Sequence, residues 1–512
     1  MISLRSHQAL SVDMIRQAIR GGYRAPTLVA STGFGKTRVS AFIASASASK
    51  GKSVLFMAPR RNLVLQTWKA FRDLGVDAGM IMADIETKHD LPVQIASIDT
   101  VMARIDKPGA FGTAACENAS VIIFDESHLY ASEKRAKFVN DLRSGVYGKN
   151  KIIMHLTATP CTSSGGGLGA ISDKLLVPIT MIDLIDGGHL LRPRYYSAEA
   201  PDLSSVRIHD NEYNTSDLGK VYDGKIMGSV VDSFMRIAGD KTGVIFCATR
   251  ANAADVCDKL NAAGVVAKYA DAKTPDTERK EIFRQIESGE VQVIVNCLII
   301  NIGTDLPRLQ VASFAMATKS IGRWMQGVGR VLRPYPGQDD AIVIDHGGMC
   351  LNPAMGPVEY INDWSLDVTG KVQDRVEARK KEAKERKDIK CPNPKCAIVF
   401  KSAHCCPSCG EKMKSKVKGE AIEYHDVELS EVVDGKPKKS QYTQAQKTDY
   451  YAQLLGYARQ HGKKPGSAYF RYIEIFGVGP AGKKPEPIPP GPEVLGMIRH
   501  LQIKKSRSKV AA

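Results

Sequence analysis

The stretch ASTGFGKTR (residues 30–38) decides how this chain is read. It follows a strand-like apolar run and leads into a helix-like segment, the context that turns a glycine-rich string into a phosphate cradle. Around Thr32, Gly33 and Gly35 the backbone N–H groups can approach a phosphate chain closely, and the helix N-terminus adds positive potential. Lys36 is then placed to reach the β- and γ-phosphates of ATP, and Thr37 to ligate Mg²⁺. The strict pattern GxxxxGKT opens with glycine, where this chain has Ala30.

Three stretches further along give the loop its meaning. DESH (125–128) closes the run SVIIF and puts Asp125 at the carboxyl end of a strand. A carboxylate there can hold the metal, and Glu126 beside it can orient the attacking water. TATP (157–160) closes KIIMHL, placing Thr157 and Thr159 to sense and couple what happens at the nucleotide. QGVGRVLRP (326–334) lies far downstream, with Arg330 and Arg333 three apart on one helical face beside Gln326. They reach the first loop only if two domains face each other across the nucleotide. An arginine inserted there stabilises charge developing on the γ-phosphate, an effect of ~10³–10⁵ in rate.

Around these motifs, residues 1–350 alternate short apolar runs with longer amphipathic stretches. TLVA (27–30), SVLFMAP (53–59), VQIAS (93–97), SVIIF (120–124) and KIIMHL (151–156) form one set. GVIFC (243–247), VVAKY (265–269), VQVIVN (291–296), VASFAM (311–316) and AIVID (341–345) form another. Runs rich in Val and Ile suit strands buried on both faces of a parallel sheet, with crossover helices between them. The fold class is therefore α/β, with two parallel-sheet domains.

Composition narrows the class. A chain of 512 residues suggests roughly three domains. A hydrophobic share of 43% with 25% charged residues is that of an ordinary globular protein. No run approaches the ~18–20 apolar residues of a membrane span, and MISLRSHQALSVDMIRQ lacks a secretion signal's apolar core. The expected location is the cytoplasm, without membrane partners. Residues 371–512 hold 30 Lys/Arg against 16 Asp/Glu, a surplus of 14 out of the chain's net +16. Such a surplus favours a polyanionic partner, nucleic acid first.

These stretches, in this order, resemble the motifs of superfamily 2 helicases and translocases, with RadD-like bacterial repair helicases and phage-encoded helicases the nearest in layout. The resemblance covers residues 1 to about 350 and implies two tandem RecA-like domains. It implies an adenine-reading role for Gln8 in LRSHQ (4–8) and a coupling role for His128. It implies nucleic-acid contacts from Arg60 in APRRNLVLQ (58–66), Thr100 in SIDT (97–100) and Thr249 in VIFCAT (244–249). Gly303 and Asp305 in INIGTDLP (300–307) take nucleotide-binding positions. TATP, where RNA helicases of the DEAD-box type have SAT, tilts the substrate toward DNA. DESH stands where DEAH or DECH is commoner, Asp99 where glutamine is usual, and Ile302 where threonine is frequent.

Six of the eleven cysteines are scattered through apolar segments, and five crowd into residues 391–409. CPNPKC (391–396) and CCPSCG (405–410) offer Cys391, Cys396, Cys406 and Cys409 as a closed tetrahedral Zn²⁺ site, with Cys405 or His404 as substitute ligand. In the last segment, aromatic residues at helical spacing read as core in preference to a base-stacking surface.

The expected organisation is a first RecA-like, ATP-binding domain over 1–190 and a second over 191–350. A charged linker over 351–390, a zinc ribbon over 391–412, a linker over 413–440 and a basic, mainly helical segment over 441–512 follow. The expected function is an ATP- and Mg²⁺-dependent DNA helicase or translocase that unwinds or remodels single-stranded, forked or branched DNA in replication, recombination or repair. Alternatives are a duplex translocase or branch remodeller without processive unwinding, an RNA helicase, or a nucleic-acid clamp with a silent nucleotide site.

Overall fold

The structure is a computed structural model. It describes residues 2–385 apart from 106, 108–110, 199, 223, 272, 298–305 and 307. Beyond these it describes 388–390, 399–401, 430–433, 436–437, 444–461, 466–476, 479–480, 484–491, 494–495 and 498. Gly303, Asp305 and the four expected zinc ligands Cys391, Cys396, Cys406 and Cys409 lie outside the described residues.

All ten apolar runs become strands. The first sheet comprises β1 (Pro26–Val29), β2 (Val54–Ala58), β3 (Gly79–Ile81), β4 (Glu86–Thr87), β5 (Val93–Ser97), β6 (Val121–Phe124), β7 (Ile152–Thr157) and β8 (Lys174–Leu176). Their order is β4-β3-β5-β2-β6-β7-β1-β8, parallel except where β4 meets β3. In the second domain β9 (Pro193–Ser197) is followed by a hairpin of β10 (Ile208–His209) and β11 (Glu212–Tyr213), which pair only with each other. The second sheet adds β12 (Gly243–Cys247), β13 (Ala267–Ala270), β14 (Val293–Asn296), β15 (Val311–Ala315) and β16 (Ala341–Asp345). After an antiparallel pair, β17 (Asp388–Lys390) and β18 (Val399–Lys401), come β19 (Ser430–Val433) and β20 (Lys436–Pro437). The second sheet runs β13-β14-β12-β15-β16-β9-β19-β20.

Every residue of β1, β2, β6, β12, β15 and β16 is buried, because helices cover both faces of each sheet. The register aligns Val29 with Thr157 and Phe124 with His155, so the carboxyl ends of β1, β6 and β7 lie side by side. Ala30 continues the alignment, donating its N–H to the Thr157 carbonyl at 2.8 Å. The three loops leaving those ends carry the phosphate cradle, DESH and TATP, and the carboxyl edge of a parallel sheet is where such folds build sites. One apolar cluster runs through both sheets, joining Met181 and Leu190 of the first domain to Met325, Val331 and Leu332 of the second.

Two expected linkers are corrected. In residues 351–390, Val358, Ile361, Val372 and Val376 are buried in the cluster shared by both domains. The N–H groups of Gly167 and Gly169 donate to the carbonyls of Asp367 and Leu366 at 2.6 and 2.9 Å. The charged composition of the helix that follows, Val372–Glu385, hides these few apolar anchors. In residues 413–440, Ser430–Val433 and Lys436–Pro437 form β19 and β20, and β19 adds antiparallel to β9. Asp-Gly between two short extended runs is a hairpin signal that a linker reading overrides.

The helices Gln444–Gln460 and Gly466–Phe476 enclose a small core of their own in which Tyr451, Leu454, Leu455, Ala458 and Tyr472 are buried. The aromatic residues there are mainly packing, as their spacing indicated, although Phe470 is exposed. Among the described residues no helix is long and apolar enough to cross a membrane.

Candidate functional site

The phosphate loop is shaped by two glycines in the left-handed region, Gly33 at φ 82° and Gly35 at φ 90°. Side chains there would also collide with their surroundings. A Cβ on Gly33 would lie 2.4 Å from Leu190 Cδ2, and one on Gly35 would lie 2.3 Å from Gln8 Nε2. Gly35 caps α2 (Lys36–Ala48), so the loop ends on that helix's N-terminal N–H groups. Behind the loop stands α1 (Ser6–Arg20). Gln8, 2% exposed, donates from Nε2 to the Phe34 carbonyl at 2.9 Å and accepts from the Arg5 N–H at 3.0 Å. The Gln8 amide therefore braces the loop backbone in this structure.

Lys36 Nζ lies 2.8 Å from Glu126 Oε1, an ion pair with both side chains largely buried. Burial depresses the Lys36 pKa, but the charges of Glu126 and Asp125 outweigh it and leave the ammonium above its ordinary value. Burial raises Asp125, Lys36 draws it back and Glu126 pushes it up, to about 6 in all. Glu126 also feels burial, yet Lys36, His128 and Arg330 hold it below the usual carboxylate range. The two neighbouring carboxyls thus divide the labour, Glu126 ionised and Asp125 the readier to take a proton. Glu126 has φ 50° and ψ 50°, a left-handed conformation unusual outside glycine and a mark of stored backbone strain. Ser127 anchors the turn from both sides, its hydroxyl between the carbonyls of Phe124 and Leu156 at 3.0 and 3.2 Å.

His128 links the acidic turn to TATP and to the second domain. Its Nδ1 is 3.0 Å from Thr157 Oγ1 and 3.4 Å from Glu126 Oε2, and its Nε2 is 3.4 Å from Gln326 Nε2. With the Gln326 amide donating, Nε2 accepts and Nδ1 carries the proton, a neutral tautomer assigned from the network. Burial agrees, since it lowers the His128 pKa more than Glu126 raises it. Thr157 Oγ1 also accepts from the Thr159 N–H at 3.1 Å, so the TATP turn is internally closed.

The helix Ile321–Val328 carries Gln326 to this junction, with Arg330 and Arg333 just beyond its end. A Cβ on Gly329 would sit 2.7 Å from Thr32 Oγ1, which shows how closely the segment meets the phosphate loop. Arg330 is buried enough to bring its pKa to about 10, with Glu126 opposing the fall, and burial lowers Arg333 as well. Trp324, fully buried, holds the helix from behind by stacking edge-on to Phe314 at 4.7 Å and donating Nε1 to the Gly356 carbonyl at 2.8 Å.

Lys36, Glu126, His128, Thr157, Gln326 and Arg330 are therefore one interlocked group, and Thr32, Gly33, Gly35, Thr37, Asp125 and Thr159 flank it; Arg333 is half-buried three residues beyond Arg330. The three residues expected at nucleic acid divide differently. Arg60 is exposed at the start of the helix Arg61–Asp73. Thr100 is only 9% exposed, and the Thr249 hydroxyl caps the helix Arg250–Ala262 by accepting from Asn252. Asp99, the acid in a cationic track, is paired with Arg135 Nη2 at 2.7 Å, so its charge is balanced within the domain.

The site suits Mg²⁺-ATP on its own chemistry: a left-handed glycine cradle, a buried lysine, and a pair of neighbouring carboxyls, Asp125 and Glu126, beside the loop. Among the described residues no group of three or more His, Cys, Asp and Glu side chains is placed to hold a metal ion by itself.

Comparison with known proteins agrees with this geometry. Residues 1–162 match the family described as type III restriction enzyme, res subunit, and residues 228–335 match the helicase conserved C-terminal domain. A 51.5 kDa protein of Lactococcus phage (isolate 7-9) is 25% identical over 78% of this chain and 82% of its own. A Saccharomyces cerevisiae protein described as an ATP-dependent helicase, IRC3, is 25% identical over 67% of this chain, which spans about half (51%) of the yeast protein. In fold, the chain is similar to a fragment of an HsdR subunit of a type I restriction enzyme from Vibrio vulnificus YJ016. That likeness has a TM-score of 0.51 at 16% identity, over 67% of this chain and 64% of the other.

Proposed function

From a chain that belongs to superfamily 2, the ATP-hydrolysing helicases, we propose a DNA helicase or translocase that uses ATP hydrolysis to move along DNA and to unwind or remodel it. The observation that carries this reading is the convergence of first-domain and second-domain groups, Lys36, Glu126 and His128 with Gln326 and Arg330.

Lys36 and the α2 N-terminus bind the β- and γ-phosphates. Thr37 and Asp125 would hold Mg²⁺, which supplies neutralising charge to the phosphate oxygens. An arriving γ-phosphate offers Lys36 a new anion, so the Lys36–Glu126 pair can open with the lysine still paired and with Arg330 and His128 left beside Glu126. Glu126 is then released to orient the attacking water and accept its proton. Arg330 stabilises the charge on the transferred group, with Arg333 beside it. Gln326 and His128 tie that event to Thr157, Thr159 and the TATP loop. Gly303 and Asp305 belong to the same proposal.

Domain closure on ATP and reopening after hydrolysis would alternate the grip on a strand and produce stepping. The lopsided positive charge of residues 371–512 supports nucleic acid as the track. Cys391, Cys396, Cys406 and Cys409 are proposed to bind structural Zn²⁺, which the metal content of the purified protein tests directly: zinc-free protein with an intact fold would reject it.

Steady-state ATP hydrolysis without polymer and with single-stranded DNA, forked DNA, blunt duplex or RNA tests the main reading. Stimulation by single strands or forks is expected. Stimulation by blunt duplex alone would replace strand separation with translocation, and by RNA alone would overturn the choice of DNA. No hydrolysis with any polymer would reject the motor.

A further inference from the structure

Two connections run from the loop behind TATP to the entrance of the arginine-bearing helix. The first is the β10–β11 hairpin, whose two turn residues, Asp210 at φ 48° and Asn211 at φ 60°, make the tight left-handed reversal of a two-residue hairpin. At its tip the Asn211 side-chain amide donates to the Ser164 carbonyl at 3.2 Å, in the first domain. The next residue, Glu212, faces the second domain. Its Oε2 accepts from the Thr318 hydroxyl at 2.5 Å and from Arg323 Nη1 at 3.4 Å, and its Oε1 accepts from the Lys319 N–H at 2.9 Å. The neighbouring Tyr213 ring receives Lys319 Nζ at 5.9 Å.

The second connection starts one residue further along the same loop. The Val372 N–H donates to the Gly165 carbonyl at 2.9 Å, and the adjacent Gln373 donates from Nε2 to the Lys319 carbonyl at 3.0 Å. A Cβ at Gly165 would come within 2.1 Å of Gln373 Oε1, so a side chain there would displace Gln373.

Both connections leave residues 164–165 and arrive at residues 318–319. Ser320 then caps the helix Ile321–Val328 that carries Gln326 and leads to Arg330. We propose that Glu212 and Gln373 are positioning residues that hold this helix, and through it Arg330, against the phosphate loop in register with the TATP loop. The inference rests on the reading of Arg330 as the arginine that completes the nucleotide site. Its physical basis is that domain opening must break each connection at one of its links, Asn211 from Ser164, and either Val372 from Gly165 or Gln373 from Lys319, at the same step that moves the arginine. Glu212 makes the stronger anchor, since its carboxylate takes a charge-assisted bond from Arg323 and satisfies a buried hydroxyl and a backbone N–H together.

The test uses the full chain as wild type, Glu212→Ala, Gln373→Ala, the double variant and the conservative Glu212→Gln. Two quantities are read: kcat and KM for ATP with saturating single-stranded DNA, and affinity for ADP with and without aluminium fluoride, a mimic of the transferring phosphoryl group. Misplacing a catalytic group by about an ångström costs on the order of 10²-fold. The double variant should therefore lose between about 10- and 100-fold in kcat and a similar factor in preference for the aluminium fluoride complex. ADP affinity and melting temperature should hold, and Glu212→Gln should recover part of the loss. Wild-type kcat and preference in the double variant would overturn the proposal. So would a fall in ADP affinity and melting temperature that tracks kcat, since that marks a fold brace. A wild-type protein with neither hydrolysis nor analogue preference would instead reject the proposed function, and this inference with it.

Discussion

The two halves of the nucleotide site are held in place by different means. The phosphate loop is fixed locally: left-handed Gly33 and Gly35, the α2 N-terminus and the Gln8 and His7 side chains on the Phe34 carbonyl all lie within residues 1–48. The arginine helix is fixed from a distance. Trp324 leans on Gly356, and Lys319 is gripped by Glu212 and Gln373, residues more than 50 positions away on either side. A half built mainly from neighbouring residues depends little on how the two domains sit. A half held by distant segments keeps its place only while those segments do, so it is the half that domain motion can switch.

Substitutions can break this contrast at either end. The largest effect is expected from Lys36→Ala, which removes the charge at the phosphates and leaves Glu126 buried without its partner. Turnover should fall by at least ~10³-fold, the scale of losing one preorganised electrostatic group, while nucleic-acid affinity in filter binding changes little. A smaller effect is expected on the metal. Asp125 titrates near 6, so below that pH protons compete with Mg²⁺, and metal affinity should weaken about tenfold per pH unit. Above pH 6 the carboxylate is ionised and affinity should level off, as Mn²⁺ titration of the ADP complex would show. The smallest change is Trp324→Phe, which keeps a ring against Phe314 but deletes the bond to Gly356. A stability loss of about 1–3 kcal/mol in denaturant unfolding is expected, since the carbonyl loses its partner and the pocket is underfilled.

The locally built half was also the legible one. ASTGFGKTR, DESH and TATP are contiguous, each follows an apolar run, and β1, β6 and β7 bring their carboxyl ends together as parallel strands must. QGVGRVLRP could be read because its arginines needed a partner in another domain. What held it was not readable. Glu212 and Gln373 stand in polar stretches with no motif, and only the fold brings them to Lys319, Glu212 on the β10–β11 hairpin and Gln373 on the return of residues 355–376 across both domains. The same return misled the linker reading, since charge dominates the segment and its buried anchors are few. Gln8 in LRSHQ is legible only through the resemblance, and its bond to Phe34 comes from packing. For Thr100 and Thr249 the motif positions are legible, while the burial of one and the Asn252 partner of the other come only from the fold.

The most direct measurement is single-turnover ATP hydrolysis by wild type and Arg330→Ala, side by side, with and without single-stranded DNA. A site completed across the domain junction predicts that the wild type is stimulated by the strand. It also predicts that Arg330→Ala loses ~10³-fold or more in the hydrolysis step while binding ATP within a few-fold of wild type. Hydrolysis by Arg330→Ala at the wild-type rate, with the same stimulation, would contradict it and leave the phosphate loop as the whole of the site.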